Sequence, residues 1–278
     1  MMQLFHDSSF ACSKKITELY STSFTLGIRA LHPDFRDAIF GIYGFVRYAD
    51  EIVDTFHDHD KKYLLDSFRE DTWKALDGGI SLNPVLHAFQ LTVNKYQIDR
   101  KLIEAFLHSM EMDLYFADYK REHYDEYIYG SAEVVGLMCL KVFCNGEEEQ
   151  YNQLVPAARS LGAAFQKVNF LRDMKSDYQD RGRVYFPQVD FSTFSEEMKR
   201  QIEEEIAADF EKAYEGIRQL PARSRFGVYL AYRYYLALFR KIRTTPAERV
   251  LEARIRVSNP RKLALYASSY LQHSVIGV

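Results

Sequence analysis

Residues 166–177 of this chain read QKVNFLRDMKSD, and residues 47–54 read RYADEIVD. Each stretch carries two aspartates four residues apart, which are Asp173 and Asp177, and Asp50 and Asp54. On a helix this spacing puts both carboxylates of a pair on one face, one turn apart. Both pairs stand in apolar sequence, where a carboxylate is costly to bury unless a cation meets it. Two such helices facing each other would form a pocket for divalent metal ions.

The stretch at 166–177 is the more specific of the two. Gln166, Asn169 and Arg172 add three polar groups to its two aspartates within about three helical turns. A buried structural network is the alternative, but such a network must satisfy its own members, and two carboxylates one turn apart repel each other. Arg172 stands directly before Asp173 on an otherwise apolar helix and needs an anionic partner. The pattern therefore favours a metal site.

Spacing alone is a weak signal, because Asp54 and Asp58 are also four residues apart. Residues 55–60 read TFHDHD, however, which indicates a polar exit from the helix, and a solvated helix face is the usual meaning of such a pair. Asp50 and Asp54 differ in having apolar neighbours, which are Tyr43, Val46, Ala49 and Val53. Mg²⁺ binds to one or two carboxylates together with waters and substrate phosphates, which such a pair can offer.

Most of the chain predicts helices. Apolar residues recur at helical spacing in residues 39–53, 102–114, 134–142, 161–172, 202–217 and 229–242. We find no alternating strand pattern, no repeat and no low-complexity linker. The fold class is therefore all-α, and we expect one domain of many helices over residues 1–278.

Several helix boundaries are also predicted. Pro33 and Pro84 each stand where the first turn of a helix should lie. Residues 78–79 (GG) and 145–146 (NG) predict turns. The helix carrying Asp173 should end at residues 180–183, and residues 184–187 should leave it in extended form, because the residue before a proline disfavours helical geometry.

Bulk properties exclude some classes of function. The net charge is −3 at pH 7 and the pI is near 6.3, so we expect no nucleic-acid partner, because phosphate binding requires a basic surface. Three cysteines without zinc-type spacing predict reduced thiols in a cytoplasmic protein. No signal-peptide pattern and no run of 18 apolar residues is present, so we expect no membrane-spanning helix. The 15% aromatic content could line an apolar cavity or simply fill a core.

Six separated motifs, in order along nearly the whole chain, resemble the squalene/phytoene synthases, a family of head-to-head prenyl diphosphate synthases. They are residues 21–24 (STSF), 42–54 (IYGFVRYADEIVD), 127–136 (YIYGSAEVVG), 169–177 (NFLRDMKSD), 182–187 (GRVYFP) and 254–258 (RIRVS). The local sequence is most similar to bacterial phytoene synthases. The resemblance implies an isoprenoid synthase fold, with one helical domain around a central active-site cavity.

The resemblance also implies roles for individual residues. The ligands or supports of several Mg²⁺ ions, for which Mn²⁺ could substitute, would be Asp50, Asp54, Asn169, Asp173 and Asp177. The groups that bind diphosphate would be Ser23, Arg47, Gln166, Arg172, Tyr234 and Arg254. The catalytic residues would be Tyr127, Arg172 and Tyr185, with Tyr127 near the reacting carbons. Ordinary structural roles are the alternatives: Ser23 as a helix cap, Arg47 as an ion pair with Glu51, and the tyrosines as core aromatics.

The implied activity is the Mg²⁺-dependent condensation of two geranylgeranyl diphosphates to 15-cis-phytoene, a step of carotenoid biosynthesis. It would pass through a cyclopropylcarbinyl diphosphate and use no nicotinamide. Metal ions would stabilise the leaving diphosphate, and an apolar cavity would shield the carbocation from water. The nearest alternative is the same chemistry on farnesyl diphosphate, giving dehydrosqualene or squalene. A terpene cyclase and a non-catalytic helical binding protein are more distant alternatives.

Two positions depart from the family pattern. Glu133 stands where many relatives have a small residue, so it would add charge to the cavity if it pointed inward and would be silent if it pointed outward. Tyr20 stands where some relatives have a histidine near the diphosphate. Because the substrates and product are apolar, we also expect peripheral contact with the cytoplasmic face of the membrane.

Overall fold

The computed structural model describes residues 2–116, 119–187, 189 and 193–276, with side chains described as far as residue 272. The helices in the first half are α1 (Met2–Tyr20), α2 (Thr22–Arg29), α3 (Pro33–Thr55), α4 (Lys61–Gly78), α5 (Pro84–Tyr96), α6 (Arg100–Tyr115) and α7 (Arg121–Ile128). A π-helical turn (Tyr129–Glu133) joins α7 to α8 (Val134–Cys144). The remaining helices are α9 (Glu148–Arg181), α10 (Glu196–Gln219), α11 (Ala222–Arg243), α12 (Ala247–Glu252) and α13 (Asn259–Ile276). The described residues contain no β-strand, which confirms the all-α prediction.

The predicted helix starts are confirmed. Helix α3 begins at Pro33, and the ring of His32 accepts a hydrogen bond from the backbone N–H of Asp34. Helix α5 begins at Pro84, and the side-chain oxygen of Asn83 accepts from the backbone N–H of Val85 at 3.0 Å. Proline costs nothing at these positions, because the first N–H groups of a helix have no partner within the helix.

The end of α9 determines where the chain goes next. Gly182 adopts φ = +66°, a left-handed conformation that glycine enters at little cost, and it ends the helix immediately after Arg181. The next residues, 183–187, are not helical, as predicted. This turn carries Arg183 and Tyr185 back beside α3 and α6, where both contact Asp113.

The helices surround one apolar cavity. Its walls come from α2, α3, α6, α7, α8, α9, α10, α11 and the π-helical turn. Helix α1 packs outside α3 and α5, and α13 packs outside α11. The described helices share one hydrophobic core. The prediction of a single domain over residues 1–278 remains a prediction, since its two ends lie outside the described residues.

One stretch, Arg121–Cys144, is long and apolar enough to cross a membrane by length and composition alone. It consists of α7, the π-helical turn and α8, and half of its apolar window is buried inside the protein. Its side chains line the cavity, so the stretch has the position of a core helix.

Candidate active site

The two aspartate pairs come together at one end of the cavity. Asp50 and Asp54 lie on the last turns of α3, and Asp173 and Asp177 lie on the last turns of α9. Arg181 connects the two helices: its Nη1 donates to Asp177 Oδ1 at 2.8 Å, and its Nε lies 3.3 Å from Asp54 Oδ1. The facing arrangement of the acidic helices is therefore present in the structure.

Arginine side chains contact all four aspartates. Arg47 pairs with Asp50 and with Glu51, one turn away on the same helix. Arg183 Nη1 donates to Asp54 Oδ1 at 2.7 Å. Arg172 Nε donates to Asp173 Oδ1 at 3.0 Å, and Arg254 Nε lies 2.8 Å from the same oxygen. The site thus alternates carboxylate and guanidinium groups, as a site for metal ions and a polyanion should.

Two of the four motif aspartates have raised pKa values. Burial and the neighbouring Asp54 raise the pKa of Asp50 to about 7. Burial and the neighbouring Asp173 raise the pKa of Asp177 to about 7. Loss of solvation and a second carboxylate one turn away both favour the neutral acid. Among the described residues no three acidic, histidine or cysteine side chains converge on one point, so the groups able to bind a divalent cation are single oxygens spread over the two motifs.

Gln166 and Asn169 extend the polar end of the cavity along α9. Both side chains line the cavity, together with Arg47 and Asp50. The side-chain oxygen of Asn169 accepts a hydrogen bond from the hydroxyl of Tyr235 at 3.3 Å. Asn169 therefore lies where the acidic motif meets the apolar wall.

Tyr234, predicted to bind diphosphate, does not lie at this site. It is buried outside the cavity wall, its hydroxyl has no hydrogen-bond partner among the described groups, and burial raises its pKa to about 12. The next residue, Tyr235, lines the cavity and contacts Asn169. Consecutive residues of a helix point about 100° apart, so only one of the two can face the site. Tyr235, and not Tyr234, therefore faces the site.

The first motif of the chain lies near Arg47. The guanidinium of Arg47 stacks on the ring of Tyr20, 4.2 Å from its centroid, so Tyr20 makes a cation–π contact at the position where relatives have a histidine. Ser21, not Ser23, caps α2 by accepting from the N–H of Phe24 at 3.2 Å. Ser23 is half-buried on the first turn of that helix. Its hydroxyl is left for another partner.

Three functional residues were missed from the sequence: Asp113, Arg181 and Arg183. The side chain of Asp113 on α6 is 2% exposed and accepts hydrogen bonds from the hydroxyls of Tyr119, Tyr127 and Tyr185 at 2.9, 2.8 and 3.1 Å. Arg183 joins Asp113 to Asp54. Two sequence features could have indicated them. Asp113 is an aspartate in the apolar helical stretch at 102–114, and Arg183 lies inside the motif at 182–187.

Beyond the polar end the cavity is apolar and has a volume of about 370 Å³. Tyr127, Ser131, Val135 and Cys139 lie along one wall, at intervals of one helical turn. Small residues widen the remaining walls, to which Leu31, Phe143, Leu154 and Leu220 also contribute. Such a space suits a long, flexible hydrocarbon.

Glu133 is not part of the cavity wall. Its carboxylate accepts from Arg159 Nε at 2.5 Å, and the guanidinium of Arg159 is about half exposed. The wall residues of this turn are Ser131 and Ala132. Glu133 therefore adds no charge to the cavity.

Carboxylates and arginines stand at one end of an apolar cavity enclosed by helices. The chain belongs to the squalene/phytoene synthase family, whose model matches residues 17–261. It is therefore a prenyl-transferring enzyme of the isoprenoid synthase fold.

Curated relatives include phytoene synthases. That of Narcissus pseudonarcissus is 30% identical, with 96% of this chain and 67% of that protein covered. Phytoene synthase 1 of Solanum lycopersicum is 31% identical, with 80% and 57% covered, so the chain spans little more than half of that relative. The 15-cis-phytoene synthase of Synechocystis is 29% identical, with 97% and 87% covered.

Solved structures support the fold. A dehydrosqualene synthase in complex with ligand superposes with a TM-score of 0.81 at 22% identity, covering 96% of this chain and 98% of that one. A squalene synthase from Alicyclobacillus acidocaldarius has a TM-score of 0.74 at 19% identity, covering 86% and 94%.

Proposed function

We propose that this enzyme joins two molecules of geranylgeranyl diphosphate head to head, giving 15-cis-phytoene and two diphosphates, with Mg²⁺ at the acidic end of the cavity. The observation that carries the proposal is the junction of the carboxylate and arginine cluster with an apolar cavity of about 370 Å³. One end suits diphosphate and the other suits its hydrocarbon tail. The phytoene synthases among its relatives favour the longer substrate.

The donor set fits divalent cations. Asp50, Asp54, Asp173 and Asp177 offer carboxylate oxygens, and Asn169 offers an amide oxygen, which are ligands that Mg²⁺ prefers. Burial, and then the neighbouring aspartate, raises the pKa of both Asp50 and Asp177, and a bound cation would offset the repulsion within each pair. When bound, Mg²⁺, or Mn²⁺ in its place, would stabilise the leaving diphosphate as its C–O bond ionises.

Arginines surround the place where the diphosphate would lie. Arg47, Arg172 and Arg254 stand at the acidic end, and their guanidinium groups suit bidentate binding of phosphate oxygens. Lys262 lies near the same end, since its Nζ donates to the Thr22 hydroxyl at 2.9 Å and the positive charges of Arg172 and Arg256 help to lower its pKa. With Gln166 and the hydroxyl of Ser23, these groups would bind and orient two diphosphates.

The apolar wall determines the fate of the allylic cation once the substrate has ionised. It excludes water from the cation, so that the double bond of the second substrate attacks instead and gives a cyclopropylcarbinyl diphosphate. That intermediate ionises, rearranges and loses a proton. Because the product forms by proton loss and not by reduction, no nicotinamide is needed. Tyr127, on the cavity wall beside the acidic end, would lie near the reacting carbons.

Diphosphate release tests the proposal. Purified protein with geranylgeranyl diphosphate and Mg²⁺ should release diphosphate, EDTA should stop the release, and added Mg²⁺ should restore it. A folded protein that releases no diphosphate would rule out catalysis and favour the helical binding protein. Diphosphate release with a cyclic product from a single substrate would identify a terpene cyclase.

We further propose that the enzyme contacts the cytoplasmic face of a membrane. Leu19 at the end of α1 and Leu263 near the start of α13 are 70% and 69% exposed. Lys262 beside Leu263 contacts Thr22, so both leucines lie near a basic side chain, which suits an anionic lipid surface. Wild-type protein should float with anionic liposomes, and a Leu19→Glu/Leu263→Glu variant should not. Equal recovery of both in the soluble fraction would contradict the proposal.

A further inference from the structure

Asp113 is the most deeply buried carboxylate near the site, and neither aspartate motif contains it. Its side chain is 2% exposed. One oxygen accepts from Tyr119 and Tyr185 at 2.9 and 3.1 Å, and the other accepts from Tyr127 at 2.8 Å. The only cation near it among the described residues is Arg183, at 3.4 Å from Oδ2. Such an arrangement is costly to build and fixes the orientation of every member.

The ionised form of Asp113 suits these contacts. A carboxylate accepts hydrogen bonds from both oxygens, whereas a protonated acid would place its own hydrogen against one of three donors. Burial and the nearby charge of Asp54 raise the pKa of Asp113, and Arg183 and the hydroxyls of Tyr127 and Tyr119 reduce the size of this rise. The same environment raises the pKa of Tyr127 well above its ordinary value. Tyr127 is therefore a neutral phenol whose hydrogen points at Asp113.

This orientation has a consequence for the cavity, because Tyr127 is the tyrosine of the three that lines it. Its hydrogen is committed to Asp113, so its oxygen can offer only lone pairs to a cation in the cavity. A hydrogen-bonded phenol is also more electron-rich than a free one. Oxygen lone pairs fixed beside a carbocation stabilise it without any reorganisation.

We propose that Asp113 is a positioning residue, which holds the hydroxyl hydrogen of Tyr127 so that the phenol oxygen faces the carbocations of the reaction. Arg183 pairs with both Asp113 and Asp54, which connects Asp113 and Tyr127 to the first aspartate motif. The inference rests on the proposed function.

The chain supplies a matched control. Tyr119 donates to the same carboxylate and packs against Tyr127 with ring centroids 5.0 Å apart, but it does not line the cavity. Tyr127→Phe should lower kcat at least about 100-fold with little change in KM, since a lost preorganised group of this kind costs about 10² to 10³ in kcat. Tyr119→Phe should keep kcat within about threefold.

Asp113→Asn tests the link between the two residues. It should lower kcat to the same degree as Tyr127→Phe and increase the share of cyclopropylcarbinyl diphosphate released before the second ionisation. The double variant should fall no further than either single variant, because both remove the same interaction. Losses that multiply in the double variant, or an Asp113→Asn enzyme that matches wild type, would overturn the inference.

Folding and the proposed function are checked separately. Thermal melts identify a variant that is merely unstable. If Asp113→Asn does not fold, the comparison of kcat between Tyr119→Phe and Tyr127→Phe tests the inference instead. Equal effects of these two variants would overturn it. Wild-type protein that makes no head-to-head product would instead contradict the proposed function.

Discussion

Asp54 and Asp177 lie on different helices and share one guanidinium group. Arg181 donates to Asp177 Oδ1 at 2.8 Å, and its Nε lies 3.3 Å from Asp54 Oδ1. Two negative helix ends would otherwise repel each other, so this arginine allows α3 and α9 to face one another in the free protein. The acidic end is thus organised before any substrate binds.

Removing single carboxylates should stop turnover and leave the fold intact. We expect Asp50→Asn and Asp173→Asn each to lower kcat/KM by at least about 100-fold, because each carboxylate would bind metal and neither is needed for packing. The matched control is Asp58→Asn, since Asp58 has the same spacing from Asp54 but is exposed beyond the end of α3. Steady-state kinetics and circular dichroism check the prediction, and near-normal activity in Asp50→Asn or Asp173→Asn would count against the metal assignment.

Asp177→Asn should stabilise the metal-free protein at about pH 8. Asp177 has a pKa of about 7 in the folded state, against about 4 in an unfolded chain. The folded state therefore binds a proton at Asp177 more tightly than the unfolded chain does. The stabilisation of the fold by this proton is fully present below about pH 4 and is lost as the pH rises through about 7. Removing the charge should add on the order of 1 kcal/mol and raise Tm by a few degrees.

Thermal melts at about pH 5 and about pH 8 check the direction of this effect. The difference in Tm between Asp177→Asn and wild type should be smaller at the lower pH. With magnesium at about pH 8 the wild-type protein should be more stable than Asp177→Asn, because magnesium binds the folded wild-type protein and stabilises it by mass action. A variant less stable than wild type at about pH 8 without magnesium would show that Asp177 serves the fold and not the metal.

Ser131 should matter through its hydroxyl. Its Oγ is shielded from solvent and has no hydrogen-bond partner within the described part of the chain, unlike Thr17, Thr72 and Thr92, whose hydroxyls each donate to the carbonyl four residues earlier. Ser131 lies in the π-helical turn, which packs closely against α6. A Cβ on the adjacent Gly130 would collide with the carbonyl of Ala105 on that helix, and this packing holds Ser131 in place. An unpaired hydroxyl in an apolar cavity wall is costly and so favours a role in the reaction.

Threonine and valine differ little in shape, so they isolate this hydroxyl. We expect Ser131→Thr to keep most of the activity and Ser131→Val to lower kcat by about tenfold, the effect of about 1.4 kcal/mol. Equal activities would show that only the volume at this position matters.

Glu133→Gln should leave product composition unchanged. The Glu133–Arg159 pair lies outside the cavity wall and is partly solvent-exposed, so its loss should cost less than about 1 kcal/mol. Product analysis by chromatography and a thermal melt check this, and a changed product would mean that the side chain reaches the substrate.

Local patterns predicted much of this molecule. Helix starts at Pro33 and Pro84, and the break at Gly182, follow from backbone chemistry that acts within a few residues. The four motif aspartates were identifiable because a carboxylate in apolar helical sequence is costly. The convergence of the two pairs depends on tertiary packing. It was a reasonable prediction because both helices carry matched acidic faces.

The remaining site residues depend on contacts between distant parts of the chain. Asp113 and Arg183 are joined only because the turn at Gly182 brings residues 183–187 back against α6. Tyr234 and Tyr235 are chemically identical, and the rotation of α11 against α9 decides which of them faces Asn169. Helical phase of this kind cannot be obtained from residue types alone.

Product identity tests the central claim most directly. Purified wild-type protein would be given geranylgeranyl diphosphate or farnesyl diphosphate in separate reactions with Mg²⁺, and the extracted hydrocarbons would be separated by chromatography and identified by mass spectrometry. We predict 15-cis-phytoene from geranylgeranyl diphosphate as the major product, formed with the higher kcat/KM. A C30 head-to-head product formed in preference to phytoene would contradict the substrate assignment, and no head-to-head product from either substrate would contradict the reaction itself.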